Sequence, residues 1–125
     1  IECGMSKSYD FGKEAENFAV DYFKNLDYKI LARNYFFQKA EIDLIVEKDN
    51  VILIIEVKAR TTNRVNLPEN SVTTKKKKLL ISAANDFILK NGIDGEVRFD
   101  ILALLKQKGE WETNHIINAF SAIEL

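Results

Sequence analysis

The run Val51 to Ile55, "VILII", followed at once by "EVKAR", constrains this chain more than any other stretch. Five consecutive apolar residues without alternation describe a strand covered on both faces, so they predict a central strand of a sheet with a layer on each side. The preceding "AEIDLIVEK" reads as a second strand, and Lys48, Asp49 and Asn50 are the turn residues between the two. A link that short demands an antiparallel hairpin. Asp43, Glu56 and Lys58 interrupt these apolar runs where desolvation is most costly.

The remaining segments build around that hairpin. Phe11, Ala15, Phe18, Ala19, Tyr22, Phe23 and Leu26 recur at helical spacing, which predicts a helix from about Phe11 to Leu26 with Asp10 as its cap. "YKILARNYFF" predicts a strand from about Lys29 to Phe37. "TTNRVNLPENSV" holds the single proline and reads as a loop. "TTKKKKLLISAANDFILKNG" carries a helical stripe of Leu79, Leu80, Ala83, Ala84, Phe87 and Ile88, with Thr73 or Thr74 to cap it and Gly92 to end it. "VRFDILALL" is another strand, and "WETNHIINAF" a further one beyond the turn "KQKGE". Helix, three strands, helix and one or two strands define an α/β fold: a mixed central sheet flanked by helices, with strand 97–105 parallel to its hairpin neighbour because a helix links them.

A length of 125 residues with 46% apolar content suits a single domain over residues 1–125. Met5 looks like a natural start, from which we expect Ile1 to Gly4 to be an appended remnant. The net charge of -1 excludes a broadly basic nucleic-acid packaging protein, so any nucleic-acid contact must come from a local patch. The single cysteine, Cys3, excludes an internal disulfide and a multi-cysteine metal site. Together with the absence of a signal-like or membrane-length apolar run, it leads us to expect a cytoplasmic protein that does not enter a membrane.

Glu56 and Lys58 share a strand face, about 6.6 Å apart along it. If Asp49 and Asn50 form a two-residue turn, Lys48 pairs with Val51 and Asp43 comes opposite Glu56; a three-residue turn sends the acids to opposite faces. Opposed carboxylates roughly 5 Å apart repel by about 3 kcal/mol at an effective dielectric near 20. A cation, a shared proton or Lys58 must offset that. A hard divalent metal does so best, because carboxylates are good oxygen ligands for magnesium or manganese. The plainer reading is a solvated rim or salt bridge near strand ends. Against it stands a glutamate that directly follows five buried apolar residues.

An acid, a hairpin and "EVK" resemble the D…(D/E)xK signature of the PD-(D/E)xK nuclease superfamily. More closely, "GKEAENFA", "ARNY", "EIDLI", "EVKAR", "SVTTKKKKLL", "RFDI" and the final "NAF" resemble the YraN-like family of uncharacterised predicted endonucleases, from about Phe11 to Phe120. The resemblance implies a restriction-endonuclease-like core and magnesium-dependent phosphodiester hydrolysis, on DNA ahead of RNA. It implies Asp43 and Glu56 as metal-binding acids, with the backbone carbonyl of Val57 as a further ligand, and Lys58 as the catalytic lysine. It also implies Glu16 as an acid completing the site; in the helical pattern Glu16 lies beside the stripe of Ala15, Phe18 and Ala19. Glu41 belongs to "EIDL" and shares a strand face with Asp43. Lys76 matches a family lysine at the start of the second helix. Where the family usually has glycine before "EIDL", this chain has Ala40, which disfavours a tight backbone approach there.

Lys75, Lys76, Lys77 and Lys78 crowd a predicted helix N-terminus, where the dipole disfavours cations. Phosphate contact or simple solvation both account for them. Arg60, Lys39 and Arg64 bracket the acids and extend a basic rim. His115 reads as structural, Asp100 as a partner of Arg98, and Trp111 as packing. A homodimer would let a small single-site nuclease cut two strands. Two rivals stand beside the nuclease: a non-catalytic nucleic-acid-binding module on the same fold, and a protein-interaction domain.

Overall fold

The computed structural model describes residues 7–61 and 72–121. The segment with Cys3 and Met5, and most of the loop containing Arg64 and Pro68, lie outside the described residues. Helix α1 spans Lys7–Asn25, strands β1 Lys29–Phe37, β2 Ala40–Lys48 and β3 Val51–Arg60, helix α2 Thr74–Asn91, and strands β4 Glu96–Gln107 and β5 Glu110–Phe120. The five strands form one sheet in the order β1-β2-β3-β4-β5. All neighbours are antiparallel except β3 and β4, which the α2 crossover makes parallel. The mixed α/β architecture expected from the element order is present.

Helix α1 starts at Lys7, a turn before the expected start, so Asp10 lies in its first turn and does not cap it. Helix α2 follows its signals closely. Thr73 is the N-cap, its hydroxyl accepting from the Lys76 amide at 3.1 Å, and Gly92 closes the helix in the left-handed region at φ 58°. Such a Ser or Thr cap contributes about 1 kcal/mol.

The run 52–55 is buried on both faces, as its lack of alternation demands. Ile52 and Ile54 pack with Leu80, Ala83, Ala84 and Phe87 of α2, while Leu53 and Ile55 pack with Ala15, Ala19 and Phe23 of α1. Each such aliphatic side chain contributes about 1.5–3 kcal/mol on burial. Two cores therefore sandwich β3 and hold its register firmly.

Asp49 and Asn50 form the two-residue hairpin turn, both with positive φ (53° and 64°). That is the backbone a type I′ turn requires and one that Asp and Asn tolerate. Lys48 consequently faces Val51, and the ladder runs to Leu44 opposite Ile55. On the other side of the turn, the Glu96 amide donates to the Asn50 carbonyl at 3.1 Å. Gly95 is required for this approach, since a Cβ there would lie 2.7 Å from the Asn50 oxygen. The turn thus also anchors the start of β4.

Candidate active site

The β2–β3 ladder ends at Leu44 and Ile55, one step before Asp43 and Glu56. In place of the next backbone bond, the Val57 amide donates to Asp43 Oδ2 at 2.8 Å. The two-residue turn therefore delivers Asp43 and Glu56 to neighbouring positions at the point where the strands part. N–H and C=O of one residue point to the same strand edge in antiparallel pairing, so the Val57 carbonyl also faces the Asp43 side of β3.

Glu56 continues the face of Ile52 and Ile54 toward α2 and is only 5% exposed. Its Oε2 receives Lys76 Nζ at 2.6 Å and lies 3.3 Å from Lys58 Nζ. Its Oε1 is buried without a hydrogen-bond partner among the described residues. An ionised carboxylate offers about four acceptor sites, and burying one oxygen unpaired costs about 1–3 kcal/mol. Asp43 is pushed up to about 7, first by burial and then by the Glu56 charge; the Val57 hydrogen bond opposes the rise. Glu41 is likewise raised, by burial and then by Glu16 and Glu56. Burial works against the charge of Lys76, yet its hydrogen bond and charge interaction with Glu56, with Asp43 adding to them, leave its pKa raised. The cluster holds more negative charge than its lysines comfortably neutralise.

Of the residues singled out by sequence, Asp43, Glu56, Lys58 and Lys76 converge, and Val57 is bonded to Asp43. Lys76 sits inside the acid cluster, beyond the role of a rim cation. This explains how α2 tolerates a lysine in its first turn: Glu56 offsets the dipole. Glu16 reaches the Glu41 end from α1, with Oε1 3.3 Å from Asn34 Nδ2 and 3.9 Å from Arg33 Nη2. Lys75 is exposed, Lys77 lies 5.5 Å from the centre of the Phe120 ring, and Arg60 ends β3. Lys39, Glu41, Lys75 and Lys76 line a groove of about 220 Å³ between the β1–β2 turn and α2, floored by Ala40, Leu79 and Leu80. Ala40, whose departure from the glycine of the family motif stood out in the sequence, is buried there against α2.

Asn34, part of the strand pattern and of "ARNY" but not among the expected site residues, bonds Glu16 and carries a positive φ of 52°. The asparagine in that short motif was the available signal. The partnership of His115 with Asp100 had no sequence signal at all; it arises from the register of β5 on β4, which slips between Phe99 and Ile101.

Among the described residues no three His, Cys, Asp or Glu side chains form a ready metal cage. Magnesium does not need one, since it is commonly held by one or two carboxylates while waters and phosphate oxygens complete its shell. The unpartnered Glu56 oxygen and the raised Asp43 suit such a hard cation, so the residues fit.

Fold and site define a mixed α/β protein with a partly buried acid–lysine cluster, centred on Glu56, where two strands diverge. The profile of the uncharacterised protein family UPF0102 matches residues 15–104, and the chain belongs to that family. It is 39% identical to a UPF0102 protein of Flavobacterium psychrophilum, over 93% of this chain and 98% of that protein. It is 42% identical to one of Sulfurihydrogenibium, over 88% and 93% of the two chains, and 37% identical to one of Phocaeicola vulgatus, over 93% and 96%. The family to which the sequence motifs pointed is thereby established. No helix among the described residues is long and apolar enough to cross a membrane.

Proposed function

We propose that this protein is a metal-dependent nuclease with a restriction-endonuclease-like core, hydrolysing phosphodiester bonds of nucleic acid, DNA ahead of RNA. The observation that carries the reading is Glu56: a 5% exposed carboxylate with one oxygen gripped by two lysines and the other unpartnered, beside an acid whose pKa is pushed up to about 7. A purely structural ion pair would satisfy both oxygens.

Asp43 and Glu56, with the Val57 carbonyl on the same edge, would hold magnesium or manganese. When bound, the cation supplies Lewis-acid stabilisation of phosphoryl charge and a more acidic water. The rest falls to the chain itself. The Val57 amide fixes the Asp43 carboxylate in place. Lys58, 24% exposed, and Lys76, 41% exposed, share Glu56 Oε2 and present ammonium groups from a strand and a helix. A phosphate arriving at the cluster gains both as charge partners, and negative charge developing on it is stabilised by the same groups. Lys39 and Lys75 extend positive charge along the groove beside Lys76, a path for the backbone of the substrate.

The test is cleavage of duplex, single-stranded and branched DNA, and of RNA, with magnesium or manganese. Glu56→Gln is expected to lower the rate by roughly 10²–10³-fold, the scale of removing one electrostatic contributor. Undiminished cleavage by that variant removes Glu56 from the mechanism. Salt-sensitive binding by wild type with no cleavage of any substrate favours the binding module instead.

A further inference from the structure

Two buried side-chain oxygens among the described residues have no hydrogen-bond partner: Glu56 Oε1 and Asn34 Oδ1. They are not scattered. Arg33 pairs with Leu44 and Tyr35 with Ile42, so Asn34 lies opposite Asp43. Continued one step beyond Leu44 and Ile55, where the strands part, the β2–β3 register sets Asp43 beside Glu56. Asn34, Asp43 and Glu56 thus occupy one transverse row across three adjacent strands, and the unpartnered oxygens belong to its two ends.

The backbone is bent to achieve this. Asn34 adopts φ 52°, a region that Asn enters more readily than most side chains. Its Nδ2 donates to Glu16 Oε1 at 3.3 Å, which settles the amide orientation: reversing it would set two acceptors against each other. With Nδ2 committed to Glu16, Oδ1 is left needing a donor. The described protein groups offer none, and a buried acceptor without a donor is costly. A carboxamide also brings an oxygen to the cluster without adding to the repulsion among Glu16, Glu41, Asp43 and Glu56.

We infer that Asn34 is a positioning residue of the cation site. Its Nδ2 holds Glu16, and its Oδ1 accepts a hydrogen bond from a water of a hydrated divalent cation, magnesium or manganese, held along the Asn34–Asp43–Glu56 row. This rests on the metal-dependent reading above. A hydrated cation is the fitting partner because magnesium sheds its waters reluctantly, and those waters are strong donors. Outer-shell groups of this kind typically set metal affinity within 10–100-fold.

The experiment is a calorimetric titration of manganese, then magnesium, into wild type, Asn34→Gly and Asn34→Asp, with melting temperatures in chelator. Glycine adopts φ 52° freely, so Asn34→Gly keeps the backbone and removes the carboxamide. Its melting temperature in chelator is expected to stay close to wild type, while manganese affinity falls about 10-fold or more. Asn34→Asp restores an oxygen but not the donor that holds Glu16, so it is expected to bind manganese more tightly than Asn34→Gly. If Asn34 serves only the backbone turn, Asn34→Gly binds manganese as tightly as wild type, and the inference is overturned. Should Asn34→Gly fail to fold, the wild type decides alone: the inference requires that bound manganese broaden the Asn34 side-chain amide resonances, and unbroadened resonances overturn it. A wild type that binds neither cation overturns this inference and the metal-dependent reading together. Weakened binding in Asn34→Gly, with no nucleic acid cleaved by wild type, leaves the inference standing and defeats only the nuclease.

Discussion

Two buried acids on adjacent strands have opposite fates. Glu56 on β3 pairs across the ladder with Ile101, and Asp100 on β4 pairs with Ile55, one position away. Glu56 faces the α2 layer and Asp100 the α1 layer, where His115 packs edge-on against Tyr22 and Phe23. Asp100 is 0% exposed and amply bonded: Arg98 donates twice, at 3.0 and 2.9 Å, His115 Nε2 lies at 2.7 Å, and the Asn118 amide donates at 3.0 Å. Burial alone would raise its pKa, but His115, Arg98 and Asn118 outweigh burial and lower it. Glu56, nearly as buried, keeps an oxygen without a partner among the described residues, and its neighbour Asp43 is raised. Burial of a charge is therefore a poor guide to function. Incomplete satisfaction is the better one, because a structural acid gathers donors until its charge is quenched, while a working acid reserves a site for something that arrives later.

This contrast breaks first at Asp100. Asp100→Ala strands Arg98 and His115 without their shared anion and should cost about 3–5 kcal/mol. Urea denaturation measures it; a loss below about 1 kcal/mol would make the Asp100 network dispensable. Next comes pH. Because the folded-state pKa of Asp43 is raised from 3.8 to about 7, its contribution is fully present below pH 3.8 and is lost as pH rises to about 7. At 1.36 kcal/mol per pKa unit the loss is of order 4 kcal/mol. In chelator, stability relative to Asp43→Asn should fall across that window, and parallel curves would refute the strained carboxylate. Asp100 has the reverse sign: its lowered pKa gives stability above 3.8 that is lost as pH falls through the depressed value.

Cation binding sharpens the comparison further. At about 100 times its dissociation constant, magnesium should stabilise wild type by about 2.7 kcal/mol at pH 7. Asp43→Asn should gain much less, whereas an Asp100 variant that still folds should gain the full amount. Equal gains in all three would detach the cation from the β2–β3 row. The smallest effect belongs to Lys76→Ala. Lys76 is 41% exposed, so solvent screening limits the lost pair to at most about 1 kcal/mol of stability in chelator. A larger loss would show that Lys76 is a structural counter-ion comparable to Arg98.

Much of this was readable along the chain. Apolar runs and helical stripes announced every element but β5, which the chain left open, and the uninterrupted "VILII" placed β3 at the centre under two layers. The short turn at Asp49 and Asn50 implied the register that sets Asp43 beside Glu56, because side-chain direction alternates with fixed period and a turn of given length permits one alignment. The pairing of Asp100 with Arg98 was readable from their spacing on one strand; the other partners of the two acids were not. Lys76 reaches Glu56 only because α2 packs its N-terminus over that face, and His115 reaches Asp100 only because β5 sets it opposite Leu102, two residues along from Asp100 on the same strand. Asn34 joins Glu16 only where the backbone of β1 turns left-handed. Periodicity is a property of the local backbone and is written residue by residue. Saturation of a buried charge depends on groups brought together from distant parts of the chain, and that outcome exists only once the layers have packed.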